Sequence, residues 1–438
     1  MNKKYLLILL CLLFLGCNKK NTIPFTPLMS NTPTATLTNT PIFTSTITPT
    51  ITHTHTHSPT VSPTLDIYST PTFTITPTIT PPNSYGGINM EYARGITKAN
   101  DGGYILVGTT RSIGSGESDI YILKIDENGY FQWKKIYGGA KSDVACDIIP
   151  STIGGYIISG YTESYGAGLA DGFLMKTDNA GNQIWFYTYG GADYDFLESV
   201  YEDSLNNIYA AGSTRSFGAN NYDPYLLKVD PSGNILIQKN WLIAYINKLY
   251  SMSKTKDNNF IFAGESVYYY YLLKTDNDLN PLWQRTPTSS SYYSFFYSVT
   301  NSSDGGYITT GEQYISTNNY DLCVYKFDSA GNVIWNYNYG GALNDSGKKI
   351  IALSDGYIIC GETLSFGNDA QAYIIRIDLN GNLLWQENYG GSNFDTAYCM
   401  TQSTDGGFII GGMTASYGSG SPGDLFVFKI NSLGQRIW

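Results

Sequence analysis

The sequence predicts an all-β fold: a seven-bladed β-propeller of four-stranded antiparallel blades, preceded by a signal peptide and a disordered Thr/Pro-rich tether. Three observations carry that expectation. A closing turn recurs seven times, six of them with a tryptophan, each unit resolves into four short strand signals, and no helical periodicity interrupts them.

The closing element reads K-x-D-x-x-G-N-x-x-W, as in Lys176–Trp185 and Lys326–Trp335. It ends at Trp133, Trp185, Ile237, Trp283, Trp335, Trp385 and Trp438, with Ile237 standing in for tryptophan in the third copy. A period near fifty residues is the mark of a propeller or solenoid. Solenoid rungs are usually shorter and carry no tryptophan per four strands, which favours the propeller. The units run at about 85–136, 137–188, 189–240, 241–286, 287–338, 339–388 and 389–438. Within one unit the strand signals are Val144–Ile149, Tyr156–Tyr161, Phe173–Thr177 and Gln183–Tyr189. Each is rich in Ile, Val, Tyr and Phe and bounded by Gly, Asn, Asp or Ser. In the D-x-x-G-N link Asp caps a hairpin turn and Gly takes positive φ. The last unit stops at Trp438, so its outer strand is expected to be short or completed by residues around Tyr85.

Residues 1–16 read as a targeting signal. Lys3 and Lys4 precede an apolar run, Tyr5–Leu15, too short to span a bilayer. Residues 17–83 are Thr- and Pro-rich with few charges, so they cannot bury a core and read as a disordered tether. The chain's three histidines, His53, His55 and His57, all lie in this tether, where they read as low-complexity drift rather than a metal site. The propeller region, 84–438, therefore has no histidine. That excludes Ser-His-Asp and Cys-His catalysis, His-ligated zinc and the two-His iron triad there.

A net charge of −10 with only 26 Lys plus Arg leaves no basic stripe, so no nucleic acid is expected as a partner. Cys146, Cys323, Cys360 and Cys399 fall in four different units with no CxxC, and read as buried thiols. No metal and no cofactor is expected.

Several positions recur around the ring. Tyr-Gly-Gly opens five units and is followed by Glu91, Asp143, Asp195, Asp345 and Asp395. A second acid precedes the third strand: Asp119, Asp171, Asp223, Asp321 and Asp424. A catalytic pair needs two unlike environments, and symmetry supplies like ones. These acids therefore read as turn caps or blade-to-blade ties. The link between strands two and three reads T-x-S-x-G in five units and places Ile113, Tyr165, Phe217, Phe366 and Tyr417 at one position. With Arg111 and Arg215 nearby, Tyr165, Phe217, Phe366 and Tyr417 are candidate sugar-stacking residues. The alternative is that these side chains cover the gaps between blades. Units four and five lack Tyr-Gly-Gly and its acid. They carry the runs Tyr268–Tyr271 and Tyr292–Tyr297, which either pack between blades or expose a patch for a partner.

Three resemblances follow from these residues. Leu13–Cys17 resembles a bacterial lipobox, which implies cleavage before Cys17 and lipid attachment to it. The D-x-x-G-x-x-x-W element resembles the tryptophan-docking motif of quinoprotein propellers, and implies tryptophans packed between blades but no quinone cofactor. The whole unit is similar to the propeller repeats of uncharacterised bacterial surface lipoproteins. The expected protein is thus a monomer exported to the bacterial cell envelope and anchored in the membrane through lipid. It presents its propeller as a non-enzymatic binding or scaffold module for cell-wall or surface glycan, or for another envelope protein. The alternative is an envelope enzyme, a quinoprotein-like oxidoreductase or polysaccharide-cleaving protein, relying on carboxylates or a bound cofactor.

Overall fold

A computed structural model of the chain describes residues 83–218, 221–241, 247–287, 293–317, 319–418 and 422–438. The signal, Cys17, the tether with its histidines, and Tyr292 lie outside the described residues.

The described residues form seven four-stranded antiparallel sheets and no helix. Their inner strands contact one another all the way round, blade 7 against blade 1 included, so the sheets close a ring about an axis. The strands match the repeat: blade 2, for example, is Asp143–Pro150, Tyr156–Thr162, Asp171–Thr177 and Gln183–Tyr189. Second and third strands are buried on both faces, because neighbouring blades cover both. The core is accordingly a series of apolar clusters between blades, such as Ile105, Val107, Ile158 and Phe173 between blades 1 and 2.

The outer strand of each blade locks onto the next. The turn glycine adopts a left-handed backbone, as at Gly181 (φ 77°) and Gly331 (φ 81°), and has no side chain. The preceding blade's indole rests against that bare backbone: Trp133 on Gly181, Trp283 on Gly331 and Trp385 on Gly434. The tyrosine of Tyr-Gly-Gly closes the same joint. Tyr137 donates its hydroxyl to the Gly181 carbonyl (2.7 Å), Tyr189 to Gly233 (2.8 Å) and Tyr339 to Gly381 (2.5 Å). The resemblance to tryptophan docking holds for position but not for burial. The tryptophans are half-buried, because the outer strand has solvent on its far side.

The ring closes through the N-terminus. Asn83–Tyr85 pairs with the third strand of blade 7, Asn83 opposite Val427 and Tyr85 opposite Leu425. Below it Trp438 accepts a backbone hydrogen bond from Lys429 (3.0 Å). The outer strand of blade 7 is therefore built from both ends of the propeller segment, with only the position opposite Phe428 between the two pieces. Tyr85 donates to the Gly129 carbonyl of blade 1 (2.5 Å), the same lock made by Tyr137 and Tyr189.

Cutting this closure should weaken the whole ring. A chain lacking residues 83–87 is expected to lose about 2–4 kcal/mol, since it forfeits a paired strand and a buried hydroxyl. Denaturant unfolding measures this, and an unchanged midpoint would contradict the closure.

Candidate functional site

The recurring acids are structural ties. Asp143 accepts from the Gly139 amide (2.7 Å), from the Ser164 hydroxyl (2.7 Å) and from Thr162. Asp195 and Asp395 do the same in their own blades, and Glu91 accepts from the Gly87 amide, the Thr110 hydroxyl and the Ser112 amide. One carboxylate thus joins the Tyr-Gly-Gly link to the T-x-S link. The acid before the third strand faces the same glycine from the neighbouring blade. A side chain on Gly138 would strike Asp119 and Asp143, and one on Gly190 would strike Asp171 and Asp195. Two carboxylates straddle one small residue, so only a glycine fits. Burial, with repulsion from Asp195 as a smaller cause, pushes the Asp171 carboxyl up to about 6. Asp119, Asp143 and Asp195 are pushed up as well, chiefly by burial.

In five blades the basic residue ending the third strand is ion-paired on the opposite face. Lys274 meets Asp257, Lys326 meets Asp304 and Lys429 meets Asp405, each at 2.6 Å, and Arg376 meets Asp355 at 2.5 Å. Blade 2 has no acid in its turn, and Lys176 is buried without a hydrogen-bond partner. The four cysteines are buried and free. Among the described residues no group of three His, Cys, Asp or Glu side chains converges as a metal site requires.

Of the candidate sugar-stacking residues, Tyr165, Phe217 and Tyr417 are half-buried and Phe366 is exposed. Tyr165 and Tyr417 spend their hydroxyls on the Gly138 and Gly390 carbonyls, both at 2.8 Å. Phe217 lies 5.7 Å from Tyr225, and Phe366 lies 5.7 Å from Tyr373, centroid to centroid. Arg215 sits over Tyr194 and Tyr222 and within 3.6 Å of Asp193, while Arg111 is exposed. The five positions stand on separate blades and are not brought together.

What the fold does bring together is a ring at the axis. Every inner strand carries a bulge at the third residue after its first. The residue skipped by the pairing is Arg94, Cys146, Glu198, Tyr250, Tyr297, Lys348 or Tyr398 in blades 1 to 7. A bulge re-aims one side chain out of the ladder, and bulges recur beside functional sites. Here seven bulges aim seven side chains at one channel. Arg94 reaches past blade 2 to Glu198 of blade 3 (3.0 Å) and to the Cys146 sulfur (3.1 Å). Tyr250 and Tyr297 lie 5.6 Å apart, and Lys348 sits 4.6 Å over the Tyr297 ring.

A second tier comes from the second strands of blades 4, 5 and 6, where Glu265, Glu312 and Glu362 replace uncharged residues. Lys248 meets Glu265 at 3.1 Å, and Lys348 lies between Glu362 (3.7 Å) and Glu312 (4.0 Å). These side chains are between 14% and 33% exposed, which marks a lined channel rather than a sealed core. Burial and then Glu265 push the Tyr250 hydroxyl well up; burial and then Glu312 do so for Tyr297. Both phenols therefore remain hydrogen-bond donors across physiological pH. The serine after the bulge in blades 3, 4 and 5 ties the ring beneath. The Met252 amide donates to Ser199 (3.3 Å), Val299 to Ser251 (3.2 Å) and Ile350 to Ser298 (3.4 Å).

Sequence reading missed this ring because it looked for what recurs. The signal was available as its opposite. Three residues after the opening position the copies read Arg, Cys, Glu, Tyr, Tyr, Lys and Tyr, whereas the opening position itself is acidic in five of the seven.

No known family model and no curated sequence matches the chain. Solved structures resemble it in fold. A protein from Lactobacillus plantarum aligns with TM-score 0.50 and 13% identity over 76% of this chain and 93% of that one. A periplasmic gluconolactonase from Pseudomonas aeruginosa aligns with TM-score 0.49 and 11% identity over 76% and 93%. A protein of unknown function from Bacteroides caccae aligns with TM-score 0.42 and 13% identity over 65% and 93%.

The raised carboxyls set a pH dependence. A group such as Asp171, whose folded-state pKa lies above its unfolded value, contributes stability that is complete below about pH 4 and is lost as pH rises through about 6. The melting temperature should therefore be higher at pH 5 than at pH 8. Asp171→Asn should remove part of that difference by stabilising the protein at pH 8. A wild-type melting temperature that rises from pH 5 to pH 8 would refute the assignment.

Proposed function

We propose that this chain is a lipoprotein of the bacterial cell envelope that uses its propeller as a non-enzymatic binding module, engaging a glycan at the axial channel. The observation that carries the reading is the bulge ring. Seven side chains of five types, each released from its ladder, converge on one opening. Its three cations, Arg94, Lys248 and Lys348, already face glutamates, so the site offers hydrogen bonds of both senses without a strong net charge. Tyr250, Tyr297 and Tyr398 add rings with hydroxyl edges. Donors, acceptors and rings in a concave polar site suit a hydroxyl-rich ligand.

Binding rather than catalysis is favoured by what the ring holds. The only thiol in it, Cys146, is pushed well up by burial, the reverse of what a nucleophile needs. No histidine is present in the propeller to serve as a base. Export and anchoring rest on Leu13–Cys17 and on the tether that follows.

Two measurements test this. The full-length protein in detergent, applied to a glycan array, should be retained on cell-wall or surface glycans. Lys348→Ala should weaken that binding about ten- to a hundredfold while leaving the melting temperature nearly unchanged, because the side chain is partly exposed and ion-paired at the longer distances. Unaltered retention would remove the axial site. Separately, Cys17→Ser should abolish lipid labelling and move the protein from the detergent phase to the soluble fraction; unchanged partitioning would end the lipoprotein reading.

A further inference from the structure

The face that carries the links between second and third strands changes character at blades 4 and 5. Here the chain departs from its own repeat. Asn247 and Ser294 occupy the positions of the opening acids. The blade 4 link shrinks to a tight turn between Ser266 and Tyr269. Val267 in that turn has φ 58°, a costly conformation for a β-branched residue. The turn presents Tyr268.

From Tyr268 a row of rings runs across the junction. Tyr268 lies 4.7 Å from Tyr293, Tyr293 lies 5.9 Å from Tyr314, and Tyr314 lies 5.4 Å from Tyr320, centroid to centroid. The rings are tilted or edge-on to one another rather than stacked. Tyr268 is 54% exposed and Tyr293 41%. At the far end of the row the link between blades 5 and 6 adds exposed Leu343, next to Asn344, whose side chain accepts from the Tyr320 amide (3.0 Å).

The row leads to the axial channel. Tyr314 follows Glu312 by two residues on one strand, so both project to the same side. Glu312 is the partner of axial Lys348 (4.0 Å). Tyr320 is the register partner of Tyr314, so it stands on the side of the sheet that Glu312 occupies.

We infer that the row Tyr268, Tyr293, Tyr314 and Tyr320 is an extension of the axial site that seats successive rings of a neutral polysaccharide. This rests on the glycan reading above. The four phenols carry no charge and the Glu312 carboxylate stands at the axial end of the row, so the occupant they suit is uncharged and amphipathic. Sugar rings present C–H faces to such rings and hydroxyls to their edges. The continuity with the channel sets the occupant's form: a chain long enough to reach from the axis to Tyr268.

The test compares a long ligand with a short one on the full-length protein in detergent. Neutral glucan, mannan, galactan and xylan are each measured beside the matching disaccharide, with hyaluronate as an acidic contrast. The wild type should bind at least one neutral polysaccharide more tightly than its disaccharide. Tyr268→Ala/Tyr293→Ala should weaken the polysaccharide about tenfold and leave the disaccharide and the melting temperature unchanged. Tyr293→Phe, which keeps the ring, should retain most of the affinity. Equal polysaccharide binding by wild type and double variant overturns the inference while leaving the axial site standing. Retention of hyaluronate alone also overturns it. A change in oligomeric mass on the double substitution, read by light scattering, would instead make the row a contact between copies of the chain. A wild type that binds neither long nor short glycan removes the axial reading and this one together.

Discussion

The structure depends on an aromatic side chain resting on a bare turn. A four-stranded sheet cannot bury its two apolar faces alone, and only the next blade can cover them. The D-x-x-G-N turn supplies a glycine whose left-handed backbone leaves no side chain in the way. The preceding blade's tryptophan lies on it, and the tyrosine of Tyr-Gly-Gly donates to its carbonyl. Twist and spacing of the ring follow from repeating that joint. The N-terminal Tyr85 makes the same contact across the seam, so the last joint is built like the others.

The joint explains why the most recognisable residues recur. Tryptophan, tyrosine, glycine and the opening acid are selected by a geometry that most of the blades share. The carboxylates tie links together and force glycine between them. The third-strand lysines and arginine do likewise for the turns of the opposite face. Symmetry gives these groups near-identical surroundings, and a site that must distinguish one ligand needs unlike groups at one place.

Unlike groups appear where the structure frees a residue from the repeat. At each bulge the ladder skips one side chain, which therefore has no cross-strand partner dictating its type. Arg94, Glu198, Lys348 and the tyrosines vary there at no cost to the joints. The sector of blades 4 and 5 is freed in another way. It gives up Tyr-Gly-Gly and both opening acids, and in return exposes Tyr268 and Tyr293. The Tyr268–Tyr271 run splits by strand alternation and by depth: Tyr270 and Tyr271 are buried while Tyr268 faces out.

The sequence by itself determined the number of blades, the four strands in each, the role of the acids as ties and the closure near Tyr85. All of these follow from local turn chemistry and period, which are written residue by residue. It also marked Tyr165, Phe217, Phe366 and Tyr417 as equivalent, but not that two of their hydroxyls are taken by Gly138 and Gly390. It overstated the burial of the tryptophans, since the outer edge of a blade has no further neighbour. Only the tertiary structure decided the axial ring. A bulge is a register between two strands, and the meeting of Arg94 with Glu198 needs the ring closed around both. Residues 104 positions apart become partners because the curvature of the ring brings blades 1 and 3 to the same channel, and no local pattern encodes that curvature.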